Sequence, residues 1–417
     1  MGKLISKILL TSLIALLLSG VSFAQDFLDP VPGDSLDRPG LTEWDHGIVF
    51  WKSTDGEFEG RFDTRMFLTG AYFFENLNEL SNGTHLRKAR LALKFRLWRN
   101  WITEWDIDVA EGIVEIKDMY FAYATLENSW YVKFGHFKVP FGLEILTTSR
   151  FIVFPERAYN ALAFKLGRRM GLEYSKWGNI WNVRATVFGQ TFDATKNKTY
   201  DETGTGVAAR FAIIPIQQPN LTLHLGVSDA YTTPDDDNNI VDFNSEPETK
   251  IGDVEMLDTG PIRDVSSTNR LGFEGALVFH NFHLQGEYNL VNVTRMNDLQ
   301  SVKFYGGYVY LTWTITGEHR YWNPVQGEFN QLIPFDNQAG AWEVALRFSH
   351  LSLSDTDAVI LGGRANNYAV GLNWYPNMNM AMQVNYTYVE NSPNATGNGM
   401  IGGDKFSYLQ FMAKVFF

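Results

Sequence analysis

The stretch from Leu86 to Ala110, LRKARLALKFRLWRNWITEWDIDVA, decides the fold. Apolar and polar residues alternate in it on both sides of a short connection at 98–101. Successive side chains of a β-strand point to opposite faces, so each half predicts a strand with one apolar face and one charged face. The charged face is basic in the first strand and acidic in the second. Its members are Lys88, Arg90, Lys94 and Arg96, followed by Glu104, Asp106 and Asp108.

Two kinds of protein use strands of this type. A soluble exported β-sandwich buries the apolar face against a second sheet, whereas a transmembrane β-barrel turns it to lipid and the polar face to a wet lumen. Alternating segments recur from residue 57 to residue 417, most of them near the roughly 9–11 residues that a tilted membrane strand needs. Their number, sixteen, is even, which is typical of a single-chain bacterial barrel. We therefore predict an all-β fold, a transmembrane antiparallel β-barrel of about sixteen strands. The segments are 57–74, 86–98, 101–110, 113–125, 130–138, 168–176, 180–190, 206–215, 220–229, 268–280, 281–293, 302–317, 339–351, 366–375, 379–390 and 404–417.

The connections between these segments alternate between short and long, as a barrel with turns at one rim and loops at the other requires. The connection at 318–338 breaks the rule, because it is long but falls on the side of the short turns. A miscounted hairpin near this connection would explain the exception. The last segment alternates towards a terminal aromatic residue, Phe417. This ending resembles the signature by which the barrel assembly machinery recognises outer-membrane barrels, and it predicts insertion into outer-membrane lipid.

The ends and the composition narrow the class of protein further. Residues 1–24 predict a secretory signal peptide, with two lysines, an apolar run and a small-residue cleavage site near Ala24. Residues 25–56 follow as an N-terminal periplasmic leader, and residues 57–417 as the barrel. The chain has no cysteine, which excludes disulfides and thiolate metal sites. Its net charge of −12 argues against nucleic acid as a partner. The sequence presents no metal-ligand spacing and calls for no cofactor.

Several short motifs stand out beyond the alternation. They are RKARL at 87–91, EIKD at 115–118, GHFKVPFGLE at 135–144, PERA at 155–158, GRRMG at 167–171, TGEHR at 316–320, GAWE at 340–343 and GLNWY at 371–375. Together they resemble the phosphate-selective porin O and P family of bacterial outer-membrane porins. The resemblance implies a sixteen-stranded barrel, usually a homotrimer, whose third external loop folds inward and narrows the channel. It also implies passage of small anions along arginine and lysine side chains.

The third external loop, 139–167, is the predicted constriction. Basic side chains in and beside it favour anions over cations where the channel narrows. The same side chains can instead pair with wall carboxylates and hold the loop in place. Both roles stay open for each of the six candidates, which are Lys138, Arg150, Arg157, Lys165, Arg168 and Arg169.

For the charged strands of the opening hairpin, mutual compensation across the lumen wall is the favoured interpretation. Opposite charges on neighbouring strands stabilise each other by roughly 0.2–1 kcal/mol per pair. A simple anion channel would lack the acidic strand at 104–108. We interpret the acidic loop 230–267 as a solvated external surface.

The predicted function is therefore an outer-membrane porin for passive diffusion of small solutes, with an anion or phosphate preference. A porin for sugars or for other neutral or cationic solutes is the alternative, and Tyr308 and Tyr310 would then face the path with Thr312 and Thr314. A barrel enzyme is a further alternative, although neither His-Glu-x-x-His nor Gly-x-Ser-x-Gly occurs.

Overall fold

The computed structural model describes residues 43–45, 48–74, 76–110, 112, 114–125, 128–191, 204–234, 239–252, 254–336 and 339–417. The predicted signal peptide and most of the predicted leader lie outside these residues. Among the described residues, no helix is both long enough and apolar enough to cross a membrane.

Within the described residues, sixteen antiparallel strands close into a barrel. Each strand pairs with the next in sequence, and the last pairs with the first through Leu409 opposite Tyr72. The strand count predicted from alternation is thus confirmed. The strands are β1 (Phe58–Phe74), β2 (Gly83–Leu97), β3 (Trp101–Asp108), β4 (Glu115–Thr125), β5 (Trp130–Lys138), β6 (Arg168–Trp177), β7 (Trp181–Phe188), β8 (Thr205–Gln218), β9 (Leu221–Thr233), β10 (Val265–Phe279), β11 (Phe282–Arg295), β12 (Val302–Thr314), β13 (Ala341–Asp355), β14 (Ile360–Asn377), β15 (Met380–Asn391) and β16 (Lys405–Phe416).

Burial follows the alternation of the sequence. In β13, Trp342, Leu346 and Phe348 are exposed on the outer face, whereas Glu343 and Arg347 are buried inside. The outer face is apolar around the barrel and carries rings of aromatic residues, such as the stacked pair Trp342 and Trp374. This inside-out distribution is the one that a bilayer requires.

We call the rim where β1 begins and β16 ends the lower rim, and the opposite one the upper rim. Turns of two to four residues join most strands at the lower rim, for example at 280–281 and 378–379. The exception is the connection 315–340, which includes a hairpin of two-residue strands, Trp322–Asn323 and Glu328–Phe329. This small hairpin lies outside the barrel sheet, so it explains the break in the length pattern and leaves the count of sixteen unchanged.

A second short hairpin extends the sheet at the lower rim. Its strands, Glu43–Asp45 and Ile48–Lys52, pair with each other, and the second pairs with the start of β1 through Val49 opposite Phe62. Part of the segment assigned to the leader therefore continues the sheet of the barrel.

Candidate functional site

The charged strands of the opening hairpin form one ladder across the lumen wall. Arg90 contacts Asp108 at 2.9 Å and Asp106 at 3.6 Å, both on β3. Lys94 bridges two strands, because its Nζ lies 3.3 Å from Glu104 on β3 and 3.3 Å from Asp63 on β1. The pairing interpretation did not include the carboxylates of β1.

Two further members of the ladder lie near the lower rim and the upper rim respectively. Arg96 lies 3.5 Å from Glu59 of β1. Lys88, at the other end of β2, lies 5.6 Å from the ring centre of Phe67. Among the described residues, Lys88 has no carboxylate within 4.0 Å. It is therefore a cation of the wall whose charge the ladder leaves uncompensated.

Loop 139–167 is bonded to lumen-facing side chains from the other side of the barrel. It contains two short helices, α1 (Leu143–Leu146) and α2 (Tyr159–Ala163). Glu287 of β11 accepts hydrogen bonds from the backbone N–H groups of Leu143 and Glu144, at 3.1 and 2.5 Å. Asn373 of β14 donates to the carbonyl of Val153 at 2.9 Å, and Gln383 of β15 donates to the same oxygen. These strands are far from β5 and β6 in the barrel order.

Arg347 of β13 joins this loop to the acidic external loop. Its guanidinium donates to the carbonyl of Glu156 at 2.9 Å and to the carboxylate of Glu248 at 2.7 Å. Glu248 is only 1% exposed and also accepts from the backbone N–H of Tyr159. The interpretation of loop 230–267 as a solvated surface is therefore wrong for this part. A buried arginine requires a paired carboxylate, and the loop supplies it.

The connection 315–340 contacts lumen-facing side chains from the lower rim. Asn182 of β7 donates to the carbonyls of Pro324 and Val325, at 2.9 and 3.1 Å. Arg210 of β8 donates to the carbonyl of Gly327 at 2.8 Å. Glu318, which belongs to the TGEHR motif, accepts from the backbone N–H of Phe335 and holds the connection together.

Four of the six candidate cations donate to the protein itself. Lys138 donates to the carbonyls of Ile145 and Leu146, which fastens α1 to the end of β5. Arg157 donates to the carbonyls of Glu144 and Thr147, Arg168 pairs with Asp118, and Arg169 donates to Leu166. These contacts fit the loop-anchoring role.

The other two candidates differ. Lys165 is exposed, and Arg150 lies over the rings of Phe151 and Phe416, at 5.4 and 5.8 Å from their centres. Among the described residues, neither side chain has a hydrogen bond or an ion pair. The structure thus separates the six residues into anchored and unanchored cations.

A cavity of about 170 Å³ lies between loop 139–167 and the wall of β2 to β4. Its lining is strongly basic, with seven Lys or Arg side chains against three carboxylates. Three of the seven, Lys88, Arg157 and Lys165, have no carboxylate within 4.0 Å among the described residues. The basic lining residues are Arg87, Lys88, Arg90, Lys117, Arg157, Lys165 and Lys250, and the acidic ones are Asp108, Glu115 and Glu156.

The ionisation of the loop groups follows from their surroundings. Burial raises the pKa of Glu156, but the charge of Arg87 and its hydrogen bonds outweigh this effect and bring the pKa to about 2. Burial also raises the pKa of Glu144, which Arg347 and the N–H of Ala158 only partly oppose. Burial lowers the pKa of Arg150 to about 10, so this guanidinium stays positive at neutral pH.

The carboxylates Glu104, Asp106 and Asp118 approach one another within 4.8 Å in the wall. Arg90 contacts Asp106, and Arg168 donates from Nε and Nη2 to one carboxylate oxygen of Asp118. The guanidinium groups supply the counter-charge that a bound cation would otherwise have to supply. We therefore interpret the group as part of the wall ladder.

The two tyrosines of the sugar-channel alternative do face inward. Tyr308 donates to Glu287 at 2.8 Å and accepts from Gln285, while Tyr310 packs against Phe154 of the loop. Both are nearly completely buried. They support the residues that hold loop 139–167.

Comparison with known proteins agrees with this geometry. The model of the family "Phosphate-selective porin O and P" matches residues 58–417. The chain belongs to this family. Porin O of Pseudomonas aeruginosa is 24% identical over 93% of this chain and 95% of its own length.

Members of this family are outer-membrane porins, and two solved structures show the same fold. The anion-selective porin from Comamonas acidovorans is 12% identical, has a TM-score of 0.56 and matches 87% of this chain and 100% of its own. The trimer form of OmpT from Vibrio cholerae is 9% identical, has a TM-score of 0.53 and matches 86% and 99%. This porin family member is thus a channel-forming barrel of the bacterial outer membrane.

The residues that the sequence did not reveal are mostly charged, lumen-facing side chains that bond to a loop. Arg347 and Glu287 occupy inward positions of β13 and β11, and Glu248 lies in the acidic loop. Alternation signals the inward position of the first two, since each is flanked by outward apolar residues. Alternation could not predict the partners of these side chains, because the contacts join segments about one hundred residues apart or more.

Proposed function

We propose that this porin is a passive diffusion channel with a preference for small anions, phosphate among them. The observation that carries the proposal is the basic cavity beside loop 139–167, where Lys88, Arg157 and Lys165 have no carboxylate within 4.0 Å among the residues that the structure describes. A unit charge pair is worth about 1 kcal/mol in water and about 4 kcal/mol in less polar surroundings. Several such cations favour anions and still allow their release. The family and the anion-selective relative support the same preference.

The constriction is the finer part of the proposal. Loop 139–167 narrows the lumen from the upper rim, which its bonds to Glu287, Asn373 and Gln383 support. The lower rim then faces the periplasm, the signal peptide is cleaved near Ala24, and the strand ending at Phe417 engages the barrel assembly machinery. A homotrimer in outer-membrane lipid completes the proposal, and the trimer form of the structural relative supports it.

The test is the reversal potential of single channels in planar bilayers under a potassium chloride gradient, repeated with added phosphate. A chloride-ward reversal and block by phosphate are the expected results. The double variant Lys88→Gln, Lys165→Gln should weaken the anion selectivity and the phosphate block, since it removes two uncompensated cations of the cavity. Lys405→Gln is the matched control, because Lys405 pairs with Glu390 at the exposed upper rim. A neutral or potassium-ward reversal of the wild type would reject the anion preference.

A further inference from the structure

The hairpin of the connection 315–340 presents one carboxylate towards the basic constriction. Trp322 and Phe329 are opposite each other in it, and so are Asn323 and Glu328. Residues directly opposite share a face, and successive residues point to opposite faces. Glu328 therefore points away from the side on which Phe329 lies.

The face with Phe329 is packed on the barrel wall. The ring of Phe329 lies 4.9 Å from His283 of β11 and 5.8 Å from His224 of β9, measured between ring centres. Asn182 and Arg210 hold the turn through its carbonyls. Gly327 has a φ of +67°, and a Cβ there would lie 2.8 Å from the guanidinium of Arg210. The hairpin is thus seated closely on the wall, and Glu328 lies on its opposite face.

Four cations act electrostatically on the carboxylate of Glu328. They come from four elements: Lys138 at the end of β5, Arg157 of loop 139–167, Arg184 of β7 and Arg210 of β8. Arg184 is already paired with Glu173 and Arg210 with Glu274, which His224 also contacts. In the part of the chain that the structure describes, Lys138 and Arg157 donate only to backbone carbonyls.

Glu328 itself is 8% exposed, and among the described residues its carboxylate has no hydrogen bond and no ion pair within 4.0 Å. A buried carboxylate ordinarily takes such partners. Among the described residues, neither Lys138 nor Arg157 has a carboxylate within 4.0 Å, and the charges of both act on Glu328. This is the electrostatic position that a permeating anion would take.

We propose that Glu328 is a tethered competitor of the permeating anion, a specificity-determining residue that lowers anion occupancy at Lys138 and Arg157 when it is ionised. The proposal rests on the proposed anion preference and adds a residue that limits it. An incoming anion meets less repulsion when Glu328 is neutral.

The degree of ionisation of Glu328 changes near neutrality. Burial raises its pKa to about 7, and the four cations oppose this only in part. The group is therefore neutral below about pH 7 and negative above it. Glu156, the carboxylate bonded to Arg87 in the same loop region, has a pKa of about 2 and stays ionised throughout this range. Anion preference should consequently fall as the pH rises through about 7.

The experiment compares the wild type with Glu328→Gln in planar bilayers under a potassium chloride gradient, from pH 5 to pH 9. At pH 9, Glu328→Gln should raise the anion-to-cation permeability ratio by roughly two- to tenfold, the effect of one unit charge close to a polar path. The variant should also remove the fall of the anion-to-cation permeability ratio near pH 7. Glu390→Gln, which removes a carboxylate at the exposed upper rim, should leave both quantities at their wild-type values.

Equal permeability ratios for the wild type and Glu328→Gln at pH 9 would overturn the proposal. The wild-type pH profile is a second test that needs no variant, and a flat profile between pH 5 and pH 9 would overturn it as well. A wild type that is cation-selective at every pH would reject the anion preference instead. In that case the difference between the wild type and Glu328→Gln still decides the role of Glu328.

Discussion

Glu287 fastens the first turn of loop 139–167 to the far wall of the barrel. Its carboxylate accepts two backbone N–H groups at the start of α1 and the hydroxyl of Tyr308. A short helix leaves its first N–H groups without partners, and a carboxylate placed there satisfies them. Because a hydrogen bond contributes about 0.5–1.5 kcal/mol and this side chain takes part in three, it holds the loop in place.

We expect Glu287→Ala to loosen the loop and to raise single-channel conductance together with its open-channel noise. Glu287→Gln should have a smaller effect, since its amide oxygen still accepts one of the two N–H groups. The measurement is single-channel conductance in 1 M potassium chloride, with Glu390→Gln as the control for loss of a carboxylate. Equal conductance of Glu287→Ala and the wild type would show that Glu287 does not restrain the loop.

The Arg87–Glu156 contact should resist acid. Glu156 has a folded-state pKa of about 2 against an ordinary value of 4.5, so the pair stabilises the folded state above pH 4.5 and loses its contribution as the pH falls through about 2. We expect Glu156→Gln to lower the thermal unfolding temperature of the barrel at pH 7 and at pH 5 by the same amount. At pH 2 the variant and the wild type should converge. A difference that vanishes already at pH 4 would contradict the depressed pKa.

At the scale of the element, β1, β2 and β3 act as one charged sheet. Lys94 lies between Asp63 and Glu104, so the basic strand is compensated on both sides. Arg61 adds a contact to Asp63 at 2.8 Å. Such a wall carries alternating charge, and the loss of one member changes the field at the lumen surface.

We expect Lys94→Gln to shift the reversal potential towards potassium, because it leaves Glu104 without its cation. Asp63→Asn should shift it in the opposite direction, because it removes the carboxylate that Lys94 and Arg61 share. The two variants test the same contact, and they should shift the reversal potential in opposite directions under the same salt gradient. Shifts of the same sign in both variants would mean that the changes act through structure and not through charge.

Alternation predicted the strands and which residues face the lumen, because the two faces of a barrel strand meet solvents of opposite polarity. Leu91 and Leu93 are exposed outside, and Arg90 is buried inside, as the opening stretch indicates. The contents of the lumen could not be predicted in this way. The buried position of Glu248 and the hairpin 322–329 depend on contacts such as Arg347 to Glu248 and Arg210 to Gly327, which join distant segments and leave no periodic signal.

At the scale of the whole molecule, the barrel wall is uneven in height. The strands β3 and β7 have 8 residues each, whereas β10 has 15 and β14 has 18. A tilted strand needs roughly 9–11 residues to cross a bilayer, so the wall from β3 to β7 barely spans it. The outer face of this wall is apolar and includes Phe134 and Val187, which are 60% and 53% exposed.

A low apolar wall is better covered by protein than by lipid, so we expect β3 to β7 to form the contact between the subunits of the proposed homotrimer. The chain has no cysteine, so an introduced thiol is unique in each subunit. Phe134→Cys and Val187→Cys, made as separate single variants, should each give a dimer band with a short bis-maleimide in membranes, because one thiol per subunit joins only two subunits. Leu284→Cys and Leu346→Cys, on the taller wall, are matched controls that should remain monomeric in denaturing gels. Cross-linking at Leu284 or Leu346 in place of Phe134 would move the interface to the taller wall, and no cross-linking at any of the four positions would contradict the proposed contact.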